Sequence, residues 1–173
     1  MKRNISLALL MIGLAALATA GESSSPGPER ILQAQRNQRL VDKLVDGGLN
    51  LARETDRIKR AEYCNNLAKS LADEIKQAAD DHDGDRVVEL GRHLQELLKN
   101  GVAANLGKER RQVVAGSARE KDLARVKDES DGLTGLLMIH LAEVMKDNPD
   151  PLNQILELIQ GAKSSFLESD PNQ

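Results

Sequence analysis

Residues 57–79 read Arg57-Ile58-Lys59-Arg60-Ala61-Glu62-Tyr63-Cys64-Asn65-Asn66-Leu67-Ala68-Lys69-Ser70-Leu71-Ala72-Asp73-Glu74-Ile75-Lys76-Gln77-Ala78-Ala79, and this stretch decides the fold. Ile58, Ala61, Cys64, Leu67, Ala68, Leu71, Ile75 and Ala78 follow one another by threes and fours. That spacing gathers them on one side of an α-helix, with Lys, Glu and Gln on the other. Thr55 or Asp56 can accept the free N–H groups at the start of this helix.

The same period continues outward in both directions. Before the quoted stretch a helix is expected over 28–55, with Ile31, Leu40, Leu44, Val45, Leu49 and Ala52 on its apolar side and a weak point at Gly47-Gly48. After it, Asp80-Asp81-His82-Asp83-Gly84-Asp85 reads as a turn, with Gly84 supplying backbone freedom and Asp83 or Asp85 capping the next helix. That third helix, over 85–106, presents Val88, Leu90, Leu94, Leu97, Leu98, Val102 and Leu106.

Ser117-Ala118-Arg119-Glu120 is a capping-box pattern and opens a fourth helix, with Ser130-Asp131-Gly132 as a possible break. Asn148-Pro149-Asp150-Pro151 ends it and starts the last helix, which carries Leu152, Ile155, Leu156, Ile159 and Phe166. Leu133, Leu136, Leu137, Met138, Ile139 and Leu141 are too many for one stripe, so this fourth helix is expected at the centre of the molecule, or else meeting a partner with its extra face. No alternating run marks a strand. The fold class expected is all-α, an antiparallel helical bundle of four to six helices, because short turns near residues 55 and 82 favour antiparallel neighbours. One weak likeness, Leu44 to Leu49 against Leu97 to Val102, does not make a repeat architecture.

The chain opens with the three parts of a secretory leader. Lys2 and Arg3 are the charged part, Ile5 to Leu17 the apolar part, and Ala18-Thr19-Ala20 the small-x-small site that puts cleavage before Gly21. A spanning helix needs roughly 20 apolar residues, more than this run supplies. No Cys follows it, and Lys2-Arg3 is not a twin-arginine pair. The expected organisation is a signal peptide over 1–20, a disordered linker over 21–28, a helical domain over 29–168 and a disordered tail over 169–173. The protein is then exported, to the periplasm or beyond the cell, with no stable membrane insertion after cleavage.

The leader takes two of the 24 cations and none of the 27 acids, so the mature chain is more acidic than the formal −3 of the whole. That balance argues against nucleic acid and anionic membranes as partners. Tyr63 and Phe166 are the only aromatic residues. Sites that hold sugars, bases or apolar peptides usually rest on aromatic faces. Cys64 is the only cysteine, which forbids an intramolecular disulfide and, given its place in the stripe, points to a buried thiol rather than an intermolecular bond.

Asp81, Asp83, Asp85 and His93 are the candidate metal ligands. With Gly84 as the sixth position of an EF-hand loop, Ala79 falls first and Leu90 twelfth, where carboxylates are required. His82, His93 and His140 show neither the His-Glu-x-x-His spacing nor the Glu-x-x-His spacing of di-iron bundles. The chain has no Gly-x-Ser-x-Gly elbow and no phosphate-cradling loop. No enzyme, no catalytic residue and no cofactor are expected.

Leu133-Thr134-Gly135-Leu136-Leu137 lacks the Gln of the Leu-Thr-x-x-Gln signature of the Spy-type periplasmic stress chaperones. The stretch from Arg60-Ala61-Glu62-Tyr63-Cys64-Asn65-Asn66-Leu67-Ala68 through Val102-Ala103-Ala104-Asn105-Leu106 resembles uncharacterised exported bacterial helical proteins classed as domains of unknown function. The resemblance spans under a third of the chain and implies a helical hairpin with no established activity. Two expectations for function follow. The first is a non-catalytic envelope protein acting through helix-mediated contacts, with an unknown protein partner or as a homo-oligomer. The alternative is a metal-responsive or metal-buffering periplasmic protein using the acidic turn and the histidines.

Overall fold

The computed structural model describes residues 28–167. The leader over 1–20, nearly all of the linker over 21–28 and the tail over 169–173 lie outside the described residues. Helix α1 spans Pro28–Arg53, α2 Arg57–Asp80, α3 Gly84–Glu96, α4 Ala104–Arg110, α5 Ala118–Val144 and α6 Pro149–Leu167. A π-helical segment, Leu97–Ala103, joins α3 to α4 without a break. The described residues thus form five continuous helical rods and no strand, an all-α bundle.

Each rod begins and ends where its local chemistry dictates. Pro28 is the first residue of α1, a position where the missing N–H of proline leaves no helical bond unmade. At the other end Arg60 donates to the free carbonyls of Leu51 and Glu54, at 3.1 and 3.0 Å. Asp56 caps α2, its Oδ1 accepting from the N–H groups of Ile58 and Lys59 at 2.9 and 3.2 Å. Ser117 caps α5 by accepting from Glu120 N–H, and Glu120 reaches back to Gly116 N–H. The capping box was legible; Ser130-Asp131-Gly132 does not break α5, which runs unbroken through it.

The turn between α2 and α3 differs from expectation. His82, at φ 60, is its left-handed residue, flanked by bonds from Asp83 N–H to Ala78 O and from His82 N–H to Ala79 O. This is the Schellman pattern, with histidine where glycine is usual. Gly84 instead begins α3, because a Cβ there would lie 2.9 Å from Pro151 Cγ of α6.

Helix α2 is the centre of the bundle. It packs on α1, α3, the π segment, α4 and α5, while α6 packs on α3, the π segment and α5. All eight expected stripe residues of α2 are buried, and so are Asn65, Ala72 and Ala79. Helix α5 is not the central element: Leu136 and Ile139 are 66% and 67% exposed. Its inner side carries Leu123, Val126, Leu137 and Leu141, together with Ser130 and Thr134. Ser130 Oγ lies 2.9 Å from Asn65 Oδ1 across the α2–α5 interface, and Thr134 Oγ1 donates back to Ser130 O at 3.0 Å. Among the described residues no buried side-chain nitrogen or oxygen lacks a partner, as a stable interior requires.

A charge network ties three helix ends together. Arg119 of α5 donates to Glu109 of α4 at 2.7 Å and to the α2 cap Asp56 at 2.9 Å. Arg125 similarly joins Glu62 of α2 to Glu129 of its own helix.

Two predictions follow from this packing. A Cβ on Gly91 would sit 2.0 Å from Ile155 Cδ1, and Ile155 is fully buried. Gly91→Ala is expected to lower stability by about 1–3 kcal/mol through overpacking. Gly132→Ala, with nothing within 4 Å of the new carbon, is expected to raise it by about 0.5–1 kcal/mol; urea unfolding of both reads the contrast. The second prediction concerns acid. The hydrogen bond from Arg119, helped by the Lys59 and Ile58 N–H groups, holds the Asp56 carboxyl below its ordinary 3.8. The folded state binds this proton more weakly than the unfolded chain, so the pair stabilises above pH 3.8 and that gain is lost as pH falls through the folded value. Arg119→Ala is therefore expected to lower the urea midpoint at pH 7, with the gap to the parent narrowing steadily below pH 3.8.

Candidate functional groove

Helix α1 rests on α2 and leaves an open groove of about 570 Å³ between itself and the α3–π rod. The floor is α2, through Cys64, Leu67 and Leu71; Leu40, Leu44 and Leu51 of α1 form one wall, and Leu90 and Leu97 the other. Two glycines let the walls come down onto the floor. Gly47 of α1 meets Leu67, and Gly101 of the π segment meets Cys64, whose Sγ is 2.6 Å from where a Cβ would stand. The wide π turn places Gly101 there, and Asn105 Nδ2 donates to the Gly101 carbonyl at 2.6 Å. Insertions of this kind recur at functional sites.

Polar groups mark one end and one edge. Arg36 of α1 pairs with Asp81 at 3.0 Å, and Arg86 of α3 donates to Asn37 of α1. These bonds pin the first half of α1 across the groove end. Glu89, His93, Glu96 and Asn100 line the edge along α3 and the π segment. The interior is aliphatic, with no Phe, Tyr or Trp among its lining residues. Such a surface suits leucine-like side chains on a helix laid along it.

Cys64 is buried, as its place in the stripe implied. Burial pushes its thiol from the ordinary 9.0 up to about 11, with Arg60 acting weakly in the other direction. It is a neutral thiol at physiological pH and not an activated nucleophile.

The four candidate metal ligands are not brought together. Asp81 is engaged by Arg36 and by Gln77, and Asp83 caps α3 by accepting from Arg86 N–H at 3.1 Å. Asp85 lies in the first turn of α3, beside Asn148 and Pro151. His93 is two turns further along, on the groove edge. Among the described residues no group of three or more His, Cys, Asp or Glu converges so as to hold a metal ion. His140 lies 3.1 Å from Asp80.

The expected apolar side of α1 is corrected in part. Leu40 is buried and Leu44 packs against the core, whereas Ile31, Val45 and Leu49 are 47%, 55% and 52% exposed and Ala52 is exposed too. Val41, outside the expected stripe, is 44% exposed at the groove's lip. A signal was present: the apolar residues of α1 fall on two faces, more than one stripe against α2 can use. Comparison with family models, curated proteins and solved structures gave no match.

The thiol generates a prediction. The folded state keeps the Cys64 proton up to about 11, while the unfolded chain releases it near 9.0. Stability should therefore fall as pH rises through that window, by about 2–3 kcal/mol for a shift of this size. Cys64→Ala should flatten this alkaline limb relative to the parent in urea titrations between pH 8 and about 11.

Proposed function

We propose that the protein is an exported, non-catalytic helical protein that works by protein–protein contact in the cell envelope, with α1 as its contact element. The observation that carries the reading is the exposure of Ile31, Val41, Val45 and Leu49 on one side of one helix, beside an aliphatic groove. A contiguous apolar surface rimmed by polar groups is the usual mark of a docking site. Export is supported by the leader pattern of residues 1–20. No described helix is long and apolar enough to cross a membrane. The protonated Cys64 and the separated acidic residues support a contact role over chemistry.

The test is made in cells. The protein recovered from the envelope fraction should begin at Gly21, and photo-reactive groups at Val45 or Leu49 should yield cross-linked complexes that the same group at exposed Lys121 does not. Retention in the cytoplasm, or equal labelling at all three positions, would overturn the proposal. Calcium and zinc should leave the melting temperature unchanged; a rise abolished by Asp83→Ala or His93→Ala would instead favour the metal-responsive alternative.

A further inference from the structure

The groove between α1 and the α3–π rod has a direction. Asn37 and Arg86 close one end, and Leu51 and Asn100 stand at the other. Between Asn37 and Leu51 α1 rises about 21 Å, at 1.5 Å per residue. Along that length the floor and walls are aliphatic, and no Phe, Tyr or Trp lines them. At the closed end Arg86 reaches Asn37 directly across the gap, so a helix of about 10–12 Å diameter has no room to descend there. A flexible chain one methylene wide does. We propose that the groove binds a single-chain fatty acid, its alkyl tail lying along α2 and its carboxylate held by Arg86 and Asn37. This goes beyond the contact reading, which rests on the outward side of α1, and does not depend on it.

Charge and unused donors assign the head. Among the described residues Arg86 forms no ion pair. Its Nη2 donates to Asn37 Oδ1, which leaves its other guanidinium N–H groups and the amide N–H groups of Asn37 without a side-chain acceptor among the described residues. A carboxylate suits such a set, with two oxygens for donors of both residues. Arg86 is half-buried, whereas Glu89 and Glu96 along the α3 lip are exposed. Water and salt therefore screen the lip carboxylates more than the guanidinium. Their repulsion also sets the direction, with the head at Arg86 and the tail running toward Leu51.

The size of the head follows from what lies behind Arg86. A polar recess of about 440 Å³ opens there, in which Glu74, Asp81 and Asp83 outnumber Arg36. A bulkier or more highly charged anion would have to enter that acidic recess, whereas a carboxylate stops at Arg86. The tail in turn fills the aliphatic part of the groove and covers Val41 at its lip. A largely apolar cleft with a few polar groups at one place is the usual build of a small-molecule site.

Alkyl carboxylates titrated calorimetrically into the protein as cells process it, below their micelle-forming concentrations, test this. From octanoate to dodecanoate each added methylene should tighten binding about three- to fourfold. Dodecanoate should bind about tenfold or more tighter than dodecanol. Arg86→Gln should remove that preference and leave dodecanol binding unchanged, an outcome that loss of folding would not give. Methyl resonances of Leu40, Leu67 and Leu90 should shift on binding, and those of exposed Leu136 and Ile139 should not. No saturable binding, tighter binding of dodecyltrimethylammonium than of dodecanoate, or an equal loss of both ligands in Arg86→Gln overturns the inference, as do shifts centred on Leu136 and Ile139. Cross-linking from Val45 and Leu49 reads the contact proposal separately, so either can fail alone.

Discussion

Burying α2 on nearly every side is the constraint to which the other helices answer. Ala61, Cys64, Ala68, Ala72, Ala78 and Ala79 are its buried small residues. Short side chains let neighbouring backbones come close and fill space without large rings. A helix so surrounded has little room for unpaired polar groups, and its one buried amide meets that condition through a bond. Asn65 lies against Ser130, and this pairing favours one register of α5 on α2, because a slip of either helix would take the Ser130 hydroxyl away from the Asn65 amide oxygen, while Ser130 keeps its bond to Val126 O.

The same closeness explains the π segment. For α3 and its continuation to follow α2 past Cys64, some residue must present no side chain there, and Gly101 is that residue. The extra residue in the wide turn brings Gly101 to the thiol and turns Leu98 and Val102 into the core, both fully buried. Gly91 does the same service one interface away, admitting Ile155 of α6. Large aliphatic residues close the outer shell, so a chain with two aromatic residues still builds a continuous core.

Period and capping made most of this legible in the sequence. The stripe of α2, the caps Asp56, Asp83 and Ser117, and the turn-and-proline break at 148–151 all act locally, through contacts a few residues apart. What was illegible depended on which helix met which. Leu136 and Ile139 look like core residues on composition, yet α5 ends up with neighbours on one side only. Gly84 looked like the turn residue because glycine tolerates positive φ; the approach of Pro151, a tertiary fact, claims it for the helix and leaves that conformation to His82. The π turn left no sign in the hydrophobic period. The groove depends on where α1 lies relative to α3, which no single-helix pattern encodes.

Helix α1 is attached by different means from the rest. Its position is set by directional bonds: Arg36 to Asp81, Asn37 to Arg86, and the last carbonyls to Arg60. Few of its apolar side chains are used in that attachment, and among the described ones Leu40 alone is buried. Fully burying each exposed aliphatic side chain would gain about 1.5–3 kcal/mol, and turning α1 about its axis to bury Val45 and Leu49 would expose Leu40 and Leu44 in exchange. No rotation satisfies both faces within one protomer. Pinned polar bonds hold α1 at the one setting that keeps the groove open and the second face outward. The unspent apolar surface is thus a consequence of the helix having two faces, of which α2 covers only one among the described residues.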